Sequence, residues 1–182
     1  ATLAFSALQN YDKTGLILFS DQIELYIPPK KGKSHILRII RELIEFQPKN
    51  RHTDIAKAFE FLNKVTKKKT IAFVLSDFIG SNYQKPLQIA ARKYDLTGIR
   101  LYDPREMSLP NVGLILAKDA ESGELSYLDT TSAAVRKAYE RFYKERTDYF
   151  ETTFRRLGAG VLQCRTDESY TTKLLGYFKY RA

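Results

Sequence analysis

Cysteine is almost absent from this chain, since Cys164 is the only one among 182 residues. A single thiol cannot close a disulfide within the chain and fits a reducing compartment, so we expect a cytoplasmic protein. Long apolar runs are also missing, because none approaches the roughly 20 residues that a membrane-spanning helix needs. Residues 1–9 lack the basic start and the cleavage site of a signal peptide. These absences argue against secreted disulfide-rich and membrane-spanning classes.

Catalytic motifs are equally scarce. Ser20 and Ser76 both end predicted strands, but neither lies in the Gly-x-Ser-x-Gly elbow of a hydrolase. No phosphate-binding glycine motif is present. The two histidines, His35 and His52, are not spaced like ligands of one metal site. The sequence therefore favours a protein that is not an enzyme.

A basic excess is present: 30 Lys and Arg against 21 Asp and Glu give a net charge of +9. Such a balance is compatible with nucleic acid, an anionic membrane surface or an acidic partner protein. The densest basic groups, residues 30–33 and 67–69, lie beside predicted element ends, where lysines can favour a helix dipole. We interpret them as solvated element ends. A nucleic-acid-binding domain remains an alternative that requires the basic residues to gather on one face.

Strands and helices are predicted to alternate along the chain. Apolar patterns predict strands at residues 15–20, 23–27, 70–76, 97–102, 112–117, 124–128 and 160–164, with a turn at Glu121-Ser122-Gly123. Helices are predicted at residues 1–9, from Ser34, from Thr53 or Asp54, at 84–94, from Ser132 to Leu157 and at 169–178. The aromatic residues between 139 and 154 are predicted to pack on the sheet. This order predicts one α/β domain, residues 1–182, with a mostly parallel sheet.

The segment from Thr70 to Phe78 is the most informative part of the chain. Its apolar residues run without alternation, which predicts a strand buried on both faces and followed by Ser76 and Asp77. Ligands of open α/β sheets bind at the carboxyl edge of the strands, and a carboxylate there can hold Mg²⁺. The other interpretation is that Asp77 caps the next turn.

Several motifs occur in an order that resembles the domain-of-unknown-function 58 family, a bacterial group with a von Willebrand factor A-like domain. They are Gly15–Ser20, Pro28–Gly32, Thr53-Asp54, Ser76–Phe78, Asp103–Glu106, Leu109–Gly113, Glu121–Glu124 and Asp129-Thr130. The Asp-Pro-Arg-Glu segment, followed by Leu-Pro-x-Val-Gly, is the most specific. The resemblance covers essentially the whole chain and implies a von Willebrand factor A-like three-layer sandwich.

The resemblance also implies a metal-ion-dependent adhesion site for Mg²⁺. Thr53 matches its second-loop threonine and Asp77 its later aspartate, while Ser20, His52, Asp54, Ser76 and Asp103 are expected to line the cleft. The Asp-x-Ser-x-Ser segment of such sites does not occur in these 182 residues. We expect it upstream of Ala1, so that Mg²⁺ binds only to the full-length protein and none binds to this chain.

A missing segment would also remove the first, central strand of the implied sheet. Residues 1–9 resemble the end of a helix without an N-cap, which agrees with a truncated start. Each buried backbone group left unpaired costs about 1–3 kcal/mol, so we expect the gap not to stay dry and empty. Either the flanking strands close up, a segment of another chain inserts, or the sheet splits with water between. The unpaired sheet edge is also a place where a homo-oligomer can form.

The resemblance suggests a protein–protein interaction module, an adaptor for a MoxR-type AAA ATPase. An alternative is a metal-dependent nuclease or phosphoesterase that uses Asp77 and Asp103 at neighbouring strand ends. Against it, Arg105 follows Asp103 closely and could form an ion pair with Asp103 or Glu106.

Overall fold

The computed structural model describes residues 1–50, 52–80, 82–119 and 123–181. Six helices have the bounds Thr2–Gln9 (α1), Lys33–Glu45 (α2), Ile55–Val65 (α3), Gln84–Lys93 (α4), Ala133–Arg156 (α5) and Tyr170–Arg181 (α6). Seven strands have the bounds Thr14–Phe19 (β1), Ile23–Lys30 (β2), Ile71–Ser76 (β3), Asp95–Tyr102 (β4), Leu114–Lys118 (β5), Leu125–Asp129 (β6) and Gly160–Arg165 (β7). A short 3-10 helix spans Pro104–Met107. The turn predicted at Glu121-Ser122-Gly123 lies mostly outside the described residues.

Within the described ranges the strands form three separate sheets. β3, β4 and β7 make a parallel sheet with β4 in the centre, which confirms the predicted parallel pairing of residues 70–76 with 97–102. β1 pairs with β2 and β5 pairs with β6 as antiparallel hairpins. Among the described residues no pairing joins β1 to β3, so a division separates the two strands, and the expected filling of the gap stays a prediction.

Helices cover both faces of the parallel sheet. On one face α3, α4 and α5 enclose an aromatic core that includes Phe59, Phe78, Tyr83, Phe150 and Phe154. On the other face α6 packs through Leu174 and Tyr177, joined by Leu3 of α1. α1 and α2 also cover the β1–β2 hairpin. The result is a three-layer arrangement in which α1 contacts both the hairpin and the parallel sheet.

Burial differs between β3 and β4 in a way that the sequence did not predict. β3 was expected to be buried on both faces, but that prediction is wrong because Ile71 is 63% exposed and Leu75 50% exposed. The two-face burial belongs to β4, where five consecutive residues, 96–100, are buried. A strand at one edge of a sheet leaves part of its surface uncovered, whatever its apolar content.

Helix starts follow the expected capping chemistry in two cases. Asp54 caps α3 by accepting from the Lys57 backbone N–H at 3.1 Å, and Ser132 caps α5 by accepting from Val135 at 3.4 Å. The prediction for α2 is wrong, because its N-cap is Gly32, with φ 106°, and Ser34 lies inside the helix. Within the described residues, no helix combines the length and the apolar content needed to cross a bilayer.

Candidate functional site

Three of the predicted site residues, Ser20, Thr53 and Asp54, lie at or beside the start of α3. The backbone N–H of Asp54 donates to the Ser20 carbonyl at 2.9 Å, which ties the end of β1 to this helix. Ile55, the first residue of α3, belongs to the same buried cluster as Phe78. Its Cδ1 would lie 3.7 Å from a Cβ placed on Gly80. The end of β1, the start of α3 and the loop after β3 therefore meet at one corner.

The loop after β3 is held by its own polar side chains. The Ser76 hydroxyl accepts from the Phe78 backbone N–H at 3.1 Å, and Asp77 Oδ1 accepts from Ile79 at 3.3 Å. Phe78 has φ 54°, an uncommon conformation for a bulky residue, and its buried ring stacks on Phe150 at 4.2 Å between centroids. These contacts give Asp77 the turn-capping role that was one of its two interpretations.

The turn after β1 is a second polar network. The Ser20 hydroxyl donates to Glu24 Oε1 at 2.7 Å, and Asn50 donates to Asp21 Oδ1 at 2.7 Å. The hydrogen bond from Ser20 lowers the pKa of Glu24, and the one from Asn50 lowers the pKa of Asp21. Lys57 adds a hydrogen bond to the Asp21 carbonyl at 2.7 Å. Ser20 is thus buried and committed to the turn, so its hydroxyl is not turned toward an open cleft.

The candidate metal ligands are placed on the outside of this corner. Thr53, Asp77 and the neighbouring His52 are exposed, while Asp54 and Ser76 are partly buried. Thr53 and Asp77 share no hydrogen bond in the described structure. The described ranges contain no group of three or more His, Cys, Asp or Glu side chains that could hold a metal ion. Thr53 directly precedes the cap of α3 and Asp77 lies in the loop after β3, so Asp77 is the only carboxylate of the pair.

Asp103 has a different local role. Its carboxylate accepts from the Arg105 backbone N–H at 2.9 Å and caps the 3-10 helix. The predicted ion pair of Arg105 with Asp103 or Glu106 is wrong, since no such pair occurs among the described residues. Ser76 pairs with Arg100 in the parallel ladder, so Asp103 lies three residues beyond that pair on the neighbouring strand. Asp103 contacts the backbone N–H of Arg105 and not its guanidinium, because the start of the 3-10 helix needs an acceptor for that N–H.

Arg100 is a polar residue of this region that the sequence interpretation missed. It lies near the end of β4, buried between the loop after β3 and α5. Its Nε donates to the Asp77 carbonyl at 3.1 Å. The sequence did carry a signal, because Arg100 is a charged residue between the apolar Ile99 and Leu101 of a predicted strand.

Comparisons with known proteins agree with this architecture. A family model described as protein of unknown function DUF58 matches residues 1–149. Uncharacterized proteins Rv1480 of Mycobacterium tuberculosis and Mb1516 of Mycobacterium bovis are 25% identical over the whole chain, which spans 58% of their length. The uncharacterized protein MAV169 of Mycobacterium avium is 27% identical over 85% of the chain and 93% of its own length.

Two solved structures share the fold. The conserved hypothetical protein BatB from Bacteroides thetaiotaomicron matches with a TM-score of 0.55 and 14% identity over 98% of this chain and 84% of that one. An aerotolerance-related membrane protein from Bacteroides fragilis matches with a TM-score of 0.54 and 14% identity over 97% of this chain and 84% of that one. The family model covers most of the chain, and we conclude that this chain belongs to the DUF58 family.

Proposed function

We propose that this domain is a non-enzymatic protein-binding module, an adaptor for a MoxR-type AAA ATPase, and that its fold is von Willebrand factor A-like. The observation that carries the proposal is the corner where the end of β1, the start of α3 and the loop after β3 meet. It presents a threonine hydroxyl and a carboxylate, Thr53 and Asp77, on the surface. Such oxygens suit Mg²⁺, which can bridge to an acidic group of a partner.

The division between β1 and β3 supports the proposal that the fold is von Willebrand factor A-like. α1 contacts the hairpin and the parallel sheet on one side, and α3 contacts β1 and β2 while its residues join the aromatic core of the sheet. A further strand placed between β1 and β3 would therefore be covered by helices on both faces. In the full-length protein that strand would precede the Asp-x-Ser-x-Ser segment and complete the Mg²⁺ site. We place the module on the cytoplasmic side, where an AAA ATPase acts.

The test is binding of the full-length protein to a purified MoxR-type AAA ATPase, measured by interferometry with Mg²⁺ and ATP present. Asp77→Asn removes the charged ligand and should weaken binding at least tenfold, about 1.4 kcal/mol. Asp95→Asn is the matched control, because Asp95 pairs with Ile71 at the opposite end of β3 from Asp77, and it should leave the affinity unchanged. Absence of binding, or equal binding of the Asp77 variant, would contradict the adaptor role.

A separate measurement tests the incomplete metal site. In the 182-residue chain Thr53 and Asp77 supply only one charged ligand, so millimolar Mg²⁺ should not raise the melting temperature. A ligand present at 100 times its Kd stabilises the folded state by about 2.7 kcal/mol, which corresponds to a rise of several degrees. A rise of that size would show a competent site in this chain and would contradict the proposal that the site needs an upstream segment.

A further inference from the structure

Arg100 is a buried cation for which the chain supplies no anion. The residue is 3% exposed, and no ion pair joins it to any carboxylate of the described residues. An arginine side chain stays charged at every relevant pH, so it cannot escape the cost of burial by losing a proton. Burial of an unpaired charge is strongly unfavourable, which makes such a residue uncommon in a protein core.

The contacts that Arg100 does make are to neutral groups. Nε donates to the Asp77 carbonyl at 3.1 Å, and Nη1 donates to Gln163 Oε1 at 3.3 Å. The guanidinium lies over the rings of Tyr102 and Tyr143, at 4.7 and 4.9 Å from their centroids. The second terminal nitrogen, Nη2, donates to no described residue. These contacts orient the guanidinium and compensate part of its desolvation, but they leave donors without an acceptor.

A second polar group in the same place also lacks a partner. The hydroxyl of Tyr143 is buried, and its proton has no acceptor in the described structure. Burial raises the pKa of Tyr143, while the positive charge of Arg100 and a hydrogen bond from its guanidinium oppose that rise. The guanidinium can donate to the Tyr143 oxygen, but the hydroxyl proton still points to no acceptor, so the missing group is an acceptor. Buried polar groups are nearly always paired in folded proteins, so an unsatisfied hydroxyl proton beside an unpaired guanidinium needs an explanation.

Two cavities open beside this pair of donors. The larger, about 270 Å³, is lined by both residues together with Tyr102, Met107 and Gln163, and the smaller, about 100 Å³, adds Ile79 and Phe142. The charged side chains that line the two cavities are balanced in sign: Arg100, Lys144 and Arg146 against Glu106, Glu140 and Asp148. A multiply charged anion such as phosphate would meet the three carboxylates, whereas a singly charged anion with an apolar body would suit the rings.

We infer that Arg100 and Tyr143 form a binding site for a carboxylate carried on a small apolar or aromatic body. The guanidinium presents the planar donor pair that a carboxylate accepts, and the tyrosine hydroxyl can donate to the same oxygen atoms. The carboxylate can come from a free small acid or from the end of a peptide chain. The side chains of Thr53 and Asp77 take no part, so this inference and the adaptor proposal can fail separately.

Benzoate is the first probe, titrated into the full chain by calorimetry at constant ionic strength, with inorganic phosphate in a parallel titration. We expect saturable benzoate binding with a Kd of roughly 1 mM or below, and weaker binding of phosphate. Tyr143→Phe keeps the ring and should weaken benzoate binding roughly tenfold, because it removes one donor to a charged acceptor. Arg100→Lys keeps the charge but loses the planar pair, and should weaken it at least as much.

The matched control is Tyr83→Phe, because its hydroxyl is also buried without a partner but lies in the aromatic core away from both cavities. That variant should bind benzoate as the unchanged chain does. N-acetylphenylalanine then distinguishes the sources, since it binds more tightly than benzoate if the site accepts a chain end and less tightly if it accepts a free acid. No saturation at about twenty times the expected Kd, equal binding by the Tyr143 variant, or tighter binding of phosphate would each overturn the inference.

Discussion

The two halves of α5 pack on the same strand but complete their contacts to different degrees. The carboxyl-terminal half places Phe150 and Phe154 on β4 at Gly98, and both rings are fully buried. The amino-terminal half lies over Arg100 and leaves two cavities and unsatisfied donors. Leu96, Gly98 and Arg100 share one face of β4, because alternate residues of a strand point the same way. Between Gly98 and Arg100, this face of β4 therefore changes from a tightly packed apolar core to a polar region with cavities and unsatisfied donors.

The largest loss of stability is expected when a ring is removed from the well-packed carboxyl-terminal half of α5. Phe154→Ala removes a ring that contacts Phe78 at 5.3 Å and Phe150 at 4.8 Å between centroids. Substitution of a buried phenylalanine by alanine costs about 3–5 kcal/mol, which is a large part of the stability of a domain. Urea unfolding measures the change.

Phe142→Ala is the counterpart on the other half of the helix. Phe142 is exposed, and the guanidinium carbon of Arg146 lies 5.0 Å from its ring. We expect a loss below about 1 kcal/mol, in the range of exposed cation–π contacts. Equal losses in the two variants would contradict the contrast between the halves.

A smaller loss of stability is expected when a methyl group is added on β4 beside Phe150 and Phe154. A Cβ on Gly98 would lie 2.6 Å from Phe154 Cε1 and 2.7 Å from Phe150 Cε2, so Gly98→Ala must displace one of two packed rings. We expect a loss of about 1–3 kcal/mol in urea unfolding. Gly176→Ala is the control, because that helical position has no atom within 4 Å of an added Cβ, and should gain about 0.5–1 kcal/mol. A Gly98 variant as stable as the unchanged chain would mean that the rings are not tightly packed.

Removal of the two buried hydroxyls should leave the free energy of unfolding in urea almost unchanged. Tyr83→Phe and Tyr143→Phe each remove a buried hydroxyl whose proton has no acceptor among the described residues. We expect a change in unfolding free energy within about 0.5 kcal/mol of zero for both variants. A loss above about 1 kcal/mol in Tyr143→Phe alone would reveal a hydrogen bond of that hydroxyl and remove one basis for the carboxylate site.

The smallest effect concerns the turn at Ser20, which is held by ionisable groups instead of rings. The folded pKa of Glu24 lies below its usual value of 4.5, mainly because of the Ser20 hydrogen bond. The stabilisation is therefore present above pH 4.5 and is lost as the pH falls through the folded pKa. Melting temperature measured between about pH 5 and 3 should fall less steeply for Glu24→Gln than for the unchanged chain. Identical slopes would assign the acid sensitivity to other carboxylates.

Local patterns in the sequence predicted the parts of the fold that depend on local chemistry. The caps at Asp54 and Ser132 follow from side chains that satisfy free backbone N–H groups, and the parallel pairing of β3 with β4 follows from apolar runs joined through helices. The cap at Gly32 was missed because a serine at residue 34 offered a more familiar pattern.

Burial and contacts that depend on residues far apart in the sequence could not be predicted from local patterns. β3 is the more apolar of the two strands, yet only β4 lies between two other strands, so the exposure of Ile71 and Leu75 depends on chain topology. Arg100 needs α5 and the loop after β3 to enclose it, and those segments lie far apart in sequence. The commitment of Ser20 to its own turn was not predicted either, because it depends on the position of Glu24 relative to the Ser20 hydroxyl.

The division between β1 and β3 has a consequence for handling the protein. A strand edge without a neighbour can template pairing with the same edge of another molecule, which is a route to aggregation. The net charge of +9 opposes such encounters, because like-charged molecules repel. Salt shortens the reach of that repulsion, to about 10 Å at 0.1 M and about 3 Å at 1 M. Colloidal stability of this domain therefore depends on ionic strength, with dilute buffers protecting the edge that the fold leaves uncovered.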